Sequence, residues 1–344
     1  MPKPRPTRPR SKSHKVTISD IAREAGVSIY AVSRALNNVS GVNPETRERV
    51  FQVSRRLGFR PRQDARTRQF ALVIPESGTY SQGGYVTNIT FQLLRTVSAR
   101  GMGLLLFTES QVDQLQRRVV DGIFVLSWND QAIAKLETIR DTPKLVINRF
   151  SLTDRFHVVG WDHLAEGLTV GRYLLERGHQ RLGFVSLLGT AHSTRSRLEG
   201  FRQAHDECDV PLLPEAVEKL SDRNQLARAL ARLVDLGVDG IYFPGQERLG
   251  IEALNQLQRV FKQQVPGDLS IVAGENPGWS DLIDPPLTTV DAPFELLAGR
   301  CLDHMNDLID QRPTEPTEVL IATPVLERKT VLDRRAEHAR AREA

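Results

Sequence analysis

With 344 residues, 40% of them hydrophobic, and a formal net charge of +4, the chain has the composition of a globular protein of two or three domains. No run approaches the roughly 18 apolar residues of a membrane helix, and the basic, proline-rich start MPKPRPTRPRSKSHK lacks the apolar stretch of a secretory signal, so neither a membrane protein nor an exported one is expected. Cys208 and Cys301 have no metal-ligand spacing, which argues against a disulfide framework or a zinc site and fits a reducing cytoplasm.

Residues 1–14 are expected to form a disordered basic arm, with proline blocking helix and Lys and Arg available to phosphates. From Thr17 to Asn37, TISDIAREAGVSIYAVSRALN reads as helix, tight turn, helix. Thr17 is a good N-cap, and Asp20 completes a capping-box pattern. Ile21, Ala22 and Ala25 give the first helix an apolar face, and Gly26 stands where the chain must turn. Ser28 is placed to cap the second helix, whose inner face is expected to carry Val32 and Leu36. That leaves Ile29, Tyr30, Ser33 and Arg34 pointing away from the small core. A third helix follows, with Asn43 as cap, Pro44 at its first position, Gly58 at its stop, and Val50, Val53 and Leu57 closing a three-helix core within residues 15–60.

Such a hairpin could be a small helical unit with no role on DNA, and charge decides between the readings. Residues 1–70 hold 16 Lys and Arg against 5 Asp and Glu, a balance of +11; the remaining 30 against 37 leave −7 for the body. A basic head on an acidic body is the electrostatic footprint of a nucleic-acid module.

From Phe70 onward, short apolar runs alternate with amphipathic stretches. The strand-like runs are Phe70–Pro75, Leu104–Phe107, Gly122–Leu126, Lys144–Asn148, Leu182–Ser186, Gly240–Phe243 and Ser270–Ala273. Helical patterns are clearest at Ala165–Arg177, Arg195–Cys208, Asn224–Leu236 and Phe294–Leu308. This alternation predicts an α/β fold with parallel sheets and helices on both faces. About 260 residues are too many for one open sheet, so two doubly wound subdomains are expected. Ligands in such sheets bind at the carboxyl ends of strands, and a cleft between two subdomains suits a small polar ligand. No phosphate loop, GxGxxG, HExxH or GxSxG motif is present, so no cofactor, metal or catalytic residue is expected. His179 in ERGHQR reads as a structural hydrogen-bonding group rather than a base.

At this point the chain resembles the lactose repressor/galactose repressor family of bacterial transcription regulators, over about residues 16–331. The residues that carry the resemblance are VTISDIAREAGVSIYAVSRALNN, TRERV and LGFRP in the head. In the body they are VGWDHLAEGLTVGRYLLERGHQRLGFVS, RSRLEGFRQA, DPPLTTV and TPVLERKT, in that order. The resemblance implies a helix-turn-helix head, a hinge at 61–69, and a core at 70–331 like periplasmic sugar-binding proteins of type I, in which the chain crosses between subdomains near 160, 290 and 322. Residues 332–344 remain as a charged tail without leucine heptads. It further implies a homodimer that binds a palindromic operator and responds to a small molecule, usually a sugar or nucleobase.

Carried over residue by residue, Ile29 and Tyr30 fall at the variable recognition positions and Arg34 in the VSR motif. Arginine reads guanine through two hydrogen bonds, whereas Ile29 offers only apolar contact, as with a thymine methyl. Thr17, Ser28, Ser33 and Asn37 would contact phosphates and set the register; Ser28 and Asn37 serve equally as helix caps. In the core, Arg197 of RSRLEGF matches the arginine that grips the effector, its alternative being a surface ion pair. Glu275 stands where most members have an aspartate that binds effector hydroxyls. Asp162 matches an aspartate near the cleft, or is simply a charge at a helix N-terminus. Trp128, Trp161, Trp279, Tyr80 and Tyr85 are candidates to stack on a sugar face, or belong to core or rim.

Three departures stand out. The hinge runs Ala65-Arg66-Thr67-Arg68 straight into the first strand, without the family's wedging leucine; Arg62, Arg66 and Arg68 remain as cations able to enter a narrow minor groove. Less operator bending is expected in consequence. The segment between Phe107 and Gly122 is short, so one helix of the first subdomain is expected to be truncated. Gln246 and Glu247 replace the family's Asn-Asp pair. The expectation is therefore a DNA-binding regulator, most simply a repressor, whose affinity is set by a ligand in the cleft. The alternatives are a constitutive or architectural DNA-binding protein with a vestigial cleft, and a sugar-binding module without regulatory role.

Overall fold

The computed structural model describes residues 16–36, 41–57, 59, 68–76, 84–116, 118–187, 192–245, 248–275, 277–311 and 315–335. Three short helices open the chain: α1 (Ile18–Ala25), α2 (Ile29–Leu36) and α3 (Pro44–Arg56). They bury Ile21, Ala22, Ala25, Val32, Ala35, Val50 and Val53 against one another. The inner face of α2 carries Ala35 with Val32, while Leu36 is only half-buried at its border. The small Ala35 is fully enclosed there, and the larger Leu36 packs beside it at the border of the cluster. Gly58 lies outside the described residues.

The body is built from two sheets. The first unit runs β1 (Gln69–Ile74), α4 (Tyr85–Ala99), β2 (Gly103–Thr108), α5 (Val112–Leu115), β3 (Gly122–Val125), α6 (Asp130–Thr138), β4 (Lys144–Ile147) and β5 (His157–Trp161). The second runs α7 (His163–Leu175), β6 (Leu182–Leu187), α8 (His192–Glu207), β7 (Val217–Leu220), α9 (Leu226–Asp235), β8 (Gly240–Phe243), α10 (Leu249–Arg259), β9 (Ser270–Gly274) and β10 (Thr288–Val290). The chain then returns for α11 (Phe294–Gln311) and β11 (Glu318–Ile321), and ends its strands with β12 (Val325–Leu326).

The strand order is β11-β5-β4-β3-β1-β2 in one sheet and β12-β10-β9-β8-β6-β7 in the other. Every pairing is parallel except that of β12 with β10. Strand side chains alternate between faces, and both faces are covered. In β1, Phe70 and Leu72 pack with α4 and α11, whereas Ala71 and Val73 pack with α5 and α6. In the second sheet, α9 and α10 cover one face and α7 and α8 the other. The chain passes between the sheets after Trp161, between β10 and α11, and between β11 and β12.

The seven strand-like runs read from sequence all lie in this framework; β5, β7, β10, β11 and β12 were not among them. These strands are short or carry polar residues, as in VEKL of β7 and TTV of β10, and are recruited by pairing with stronger neighbours. Helix α5 has only four residues, in keeping with the short segment after Phe107. Strand β1 already begins at Gln69, within the stretch read as hinge; residues 61–67 lie outside the described residues. At the other end, Leu332 and Arg334 are tied down, by Leu332 N–H to Ser270 Oγ (3.0 Å) and Arg334 N–H to the Arg177 carbonyl (2.7 Å). The start of the stretch read as a tail is therefore docked on the second unit. No helix among the described residues is long and apolar enough to cross a membrane.

Candidate functional site

In the head, Thr17 and Asp20 cap α1 reciprocally. Thr17 N–H donates to Asp20 Oδ2 at 2.9 Å, and Asp20 N–H donates back to Thr17 Oγ1 at 3.3 Å. Gly26 then turns the chain with φ 66°, and Ser28 Oγ accepts the Ala31 N–H at 3.1 Å to start α2. Asn43 Oδ1 accepts the Thr46 N–H at 2.7 Å to start α3. With both of its flanks anchored, α2 presents Ile29 and Tyr30 to solvent, 55% and 68% exposed. Arg34, one turn on, donates from Nη1 to Tyr30 Oη at 2.8 Å, its guanidinium 5.3 Å from the ring centroid. These two side chains form one donor edge on the outer face of α2. Thr17 and Ser28 are exposed and Ser33 half-buried beside them. Asn37, Arg62 and Arg66 lie outside the described residues. Arg68 turns back onto the body, donating to Asn306 and, at 2.7 Å, to Asp310 of α11.

The second candidate lies where the carboxyl ends of the strands meet the crossing segments. Here the start of α4, the loop after β3, the end of β5 and the start of α11 bring four rings together. Tyr85 stands 5.3 Å from Trp161, 6.1 Å from Trp128 and 6.2 Å from Phe294 between ring centroids. Trp161 is buried in the first unit's core, whereas the Trp128 ring is half exposed at its edge. Asn148, in left-handed backbone at φ 57°, accepts the backbone N–H of Trp161 through Oδ1 at 3.0 Å and fixes the end of β5. Burial, and then the neighbouring Cys301, push the Tyr85 phenol far up, so it stays neutral; Asn148 and the Arg197 guanidinium lie beside it.

Arg197 reaches this place from α8 in the second unit. It is buried, and its Nε lies 2.8 Å from Glu166 Oε1 on α7. Neither a surface ion pair nor a lone guanidinium describes it. Tyr242 Oη also donates to Glu166 Oε1, at 2.6 Å, and His163 Nδ1 lies 3.4 Å from Glu166 Oε2. Burial raises the Glu166 pKa, but Arg197, His163 and Tyr242 together outweigh it and hold the carboxyl down at about 2. Burial, and next the Arg197 charge, hold His163 down at about 4. Two glycines make the junction possible: a Cβ on Gly167 would meet the Arg197 carbonyl oxygen at 1.9 Å, and one on Gly200 the Leu164 carbonyl oxygen at 1.9 Å. The backbones of α7 and α8 therefore touch.

Glu275, at the end of β9, is buried, accepting from Thr289 Oγ1 and pairing with Arg328 Nη2 at 2.9 Å. Asp291 follows β10 beside it, its carboxyl pushed up by burial and then by the Glu275 charge. Asp162 caps α7, accepting the Ala165 N–H at 2.9 Å, which is the helix-terminus role. Trp279 lies under the Arg248 guanidinium at 4.7 Å. Tyr80, Gln246 and Glu247 lie outside the described residues. His179 bridges, its Nε2 3.1 Å from the Leu332 carbonyl and its Nδ1 3.4 Å from Asp239.

The structure thus brings together Arg197, Tyr85, Trp161 and Trp128. It adds His163, Glu166 and Tyr242, which sequence reasoning passed over. Their signal was present: a His and a Glu three apart in the otherwise apolar HLAEGL, and a Tyr inside the buried strand GIYF.

Residues 17–62 match the family described as bacterial regulatory proteins, lacI family, and residues 172–331 match a periplasmic binding protein-like domain. The chain thus carries a lacI-family DNA-binding domain followed by a periplasmic binding protein-like domain. Among curated relatives is the HTH-type transcriptional regulator DegA of Bacillus subtilis (strain 168), 27% identical over 304 residues, spanning 82% of this chain and 88% of DegA. Among solved structures, the complex of the transcriptional regulator CelR with cellobiose superposes with a TM-score of 0.67 at 24% identity, covering 92% of this chain and 99% of that one. The lac repressor dimer bound to operator and the anti-inducer ONPF superposes with a TM-score of 0.66 at 20% identity, covering 93% and 100%. These two likenesses show the fold. The chain here joins a helix-turn-helix head to two parallel-sheet units.

Proposed function

We propose that this protein is a DNA-binding transcriptional repressor that acts as a homodimer on a palindromic operator, with its affinity set by a small polar effector held between the two sheet units. The observation that carries the reading is the outer face of α2. A helix anchored by caps on a three-helix core presents Ile29 and Tyr30 to solvent with Arg34 held against Tyr30 one turn on, the arrangement of a helix that enters a major groove. Arg34 would read a guanine, Ile29 and Tyr30 would contact neighbouring bases, and Thr17, Ser28, Ser33 and Asn37 would hold phosphates. Arg62 and Arg66 belong to the stretch that would follow the minor groove, with Arg68 at its junction to the body.

The effector would sit against Tyr85, Trp128, Trp161 and Arg197, with Asp162 following β5 of the first sheet and Glu275 following β9 of the second. A change in closure of the two units would alter the spacing of paired heads and hence operator affinity. Two relatives of the same fold support this division of labour, one being a lac repressor dimer on operator and one a regulator holding cellobiose. The protein works by binding rather than catalysis, and in the cytoplasm where its DNA is.

Selection of bound duplexes from a random library, at near-physiological salt, tests the reading. An enriched palindrome is expected. Binding without enrichment, fading as salt rises, would overturn it.

A further inference from the structure

His163 is almost fully buried between Trp161 and Phe150, with ring centroids 6.5 and 6.3 Å away. One of its nitrogens is accounted for, since Nδ1 faces the Glu166 carboxylate at 3.4 Å. Glu166 is held ionised by the Arg197 guanidinium and the Tyr242 hydroxyl, so it accepts and cannot donate. The proton of the neutral imidazole therefore stands on Nδ1, and Nε2 carries a lone pair. Nε2 is buried and has no hydrogen-bond partner among the described residues, and the same holds for Nε1 of the adjacent Trp161. An indole N–H only donates. An acceptor and a donor are thus left unsatisfied on neighbouring rings, a costly arrangement in a protein interior. Arg197, Glu166, His163, Trp161 and Tyr85 follow one another as a chain of neighbours across the junction, from the Arg197–Glu166 pair at 2.8 Å to the Trp161–Tyr85 ring contact at 5.3 Å.

We propose that His163 determines effector specificity: its Nε2, fixed as an acceptor by Glu166, takes an O–H or N–H from the effector while Trp161 Nε1 donates to an adjacent oxygen of the same molecule. The inference rests on the junction being the effector site. It narrows the ligand to a neutral molecule with donor and acceptor side by side, as on neighbouring hydroxyls. It disfavours carboxylates and phosphates, which would bring only acceptors against the His163 lone pair while Glu166 already neutralises Arg197.

Two measurements on the full-length protein test it. Long-range proton–nitrogen spectra of histidine-labelled protein, with His163→Phe for assignment, are expected to show His163 neutral with its proton on Nδ1 at pH 7; a proton on Nε2 would overturn the proposal. Thermal shifts and titrations with D-ribose, cellobiose, their fully O-methylated forms and glucose 6-phosphate then read the site. A free-hydroxyl sugar is expected to bind, its O-methylated form not to bind, and H163F to weaken the sugar about tenfold. Equal binding to H163F, equal binding of the methylated sugar, preference for the phosphate, or binding of no sugar in the set would overturn it. Affinity for the selected palindrome is measured on the same samples. Its presence with any of those failures overturns the role of His163 alone, whereas its absence overturns the regulator reading.

Discussion

Gly167→Ala offers a sharp test of how the two helices carrying Glu166 and Arg197 are set. The added methyl would lie 1.9 Å from the Arg197 carbonyl oxygen and 2.9 Å from its Cα. Both are backbone atoms, so no rotamer change relieves the contact, and α7 must move from α8. Overpacking costs about 1–3 kcal/mol, and contact with backbone belongs at the upper end. Replacing a mid-helix glycine returns about 1 kcal/mol of helix propensity. The expected net loss is about 2 kcal/mol, or a fall of about 4–8 °C in melting temperature. Gly299→Ala is the control, because its Cβ on α11 would meet nothing within 4 Å and should stabilise by about 0.5–1 kcal/mol. Calorimetry of the three proteins under one buffer reads both. If G167A melts at or above the unmodified protein, α7 and α8 are not in backbone contact and the account of the junction fails.

Replacing Arg34 by alanine should weaken palindrome binding by about 1–3 kcal/mol and relax preference at one base pair, which a repeat of the selection would show; a uniform loss across sequences would make it a phosphate contact instead. The folded pKa of His163 is depressed to about 4, so the unfolded chain binds the proton first as pH falls from 6.5. The stability it contributes is present above about 6.5 and lost on the way down to about 4, with Glu166 adding a loss from about 4.5 to 2. In urea melts across this range H163Q should show a shallower upper part of the slope, the remainder coming from His157, His205 and His304, which burial also lowers; an unchanged slope would contradict the buried neutral ring. For the leucine-free hinge, circular permutation should report a smaller operator bend than that of the lac repressor, and a sharp kink would refute it.

Much of the fold was readable because its signals are local. The capping residues Thr17, Asp20, Ser28 and Asn43 act within one helical turn, and the apolar runs of the central strands need no knowledge of their neighbours. The strands that escaped notice, such as β7 and β10, owe their conformation to the pairing they complete. Likewise Arg197 could be singled out from its motif, but not its buried partner Glu166, which meets it only because Gly167 and Gly200 let two helices touch.

By itself the sequence determined the three-helix head, the alternating α/β body and the separation of charge between them. Each follows from periodicity, capping or composition, which are properties of the chain read along its length. Tertiary structure alone decided that Arg68 would fold back onto α11, that Glu275 would pair with Arg328, and that His163 would present one nitrogen to Glu166 and leave the other without a partner among the described residues. Those outcomes depend on which side chains from distant segments share a low-dielectric space, where each buried charge and hydrogen-bonding atom must find a partner and its partner sets its chemistry.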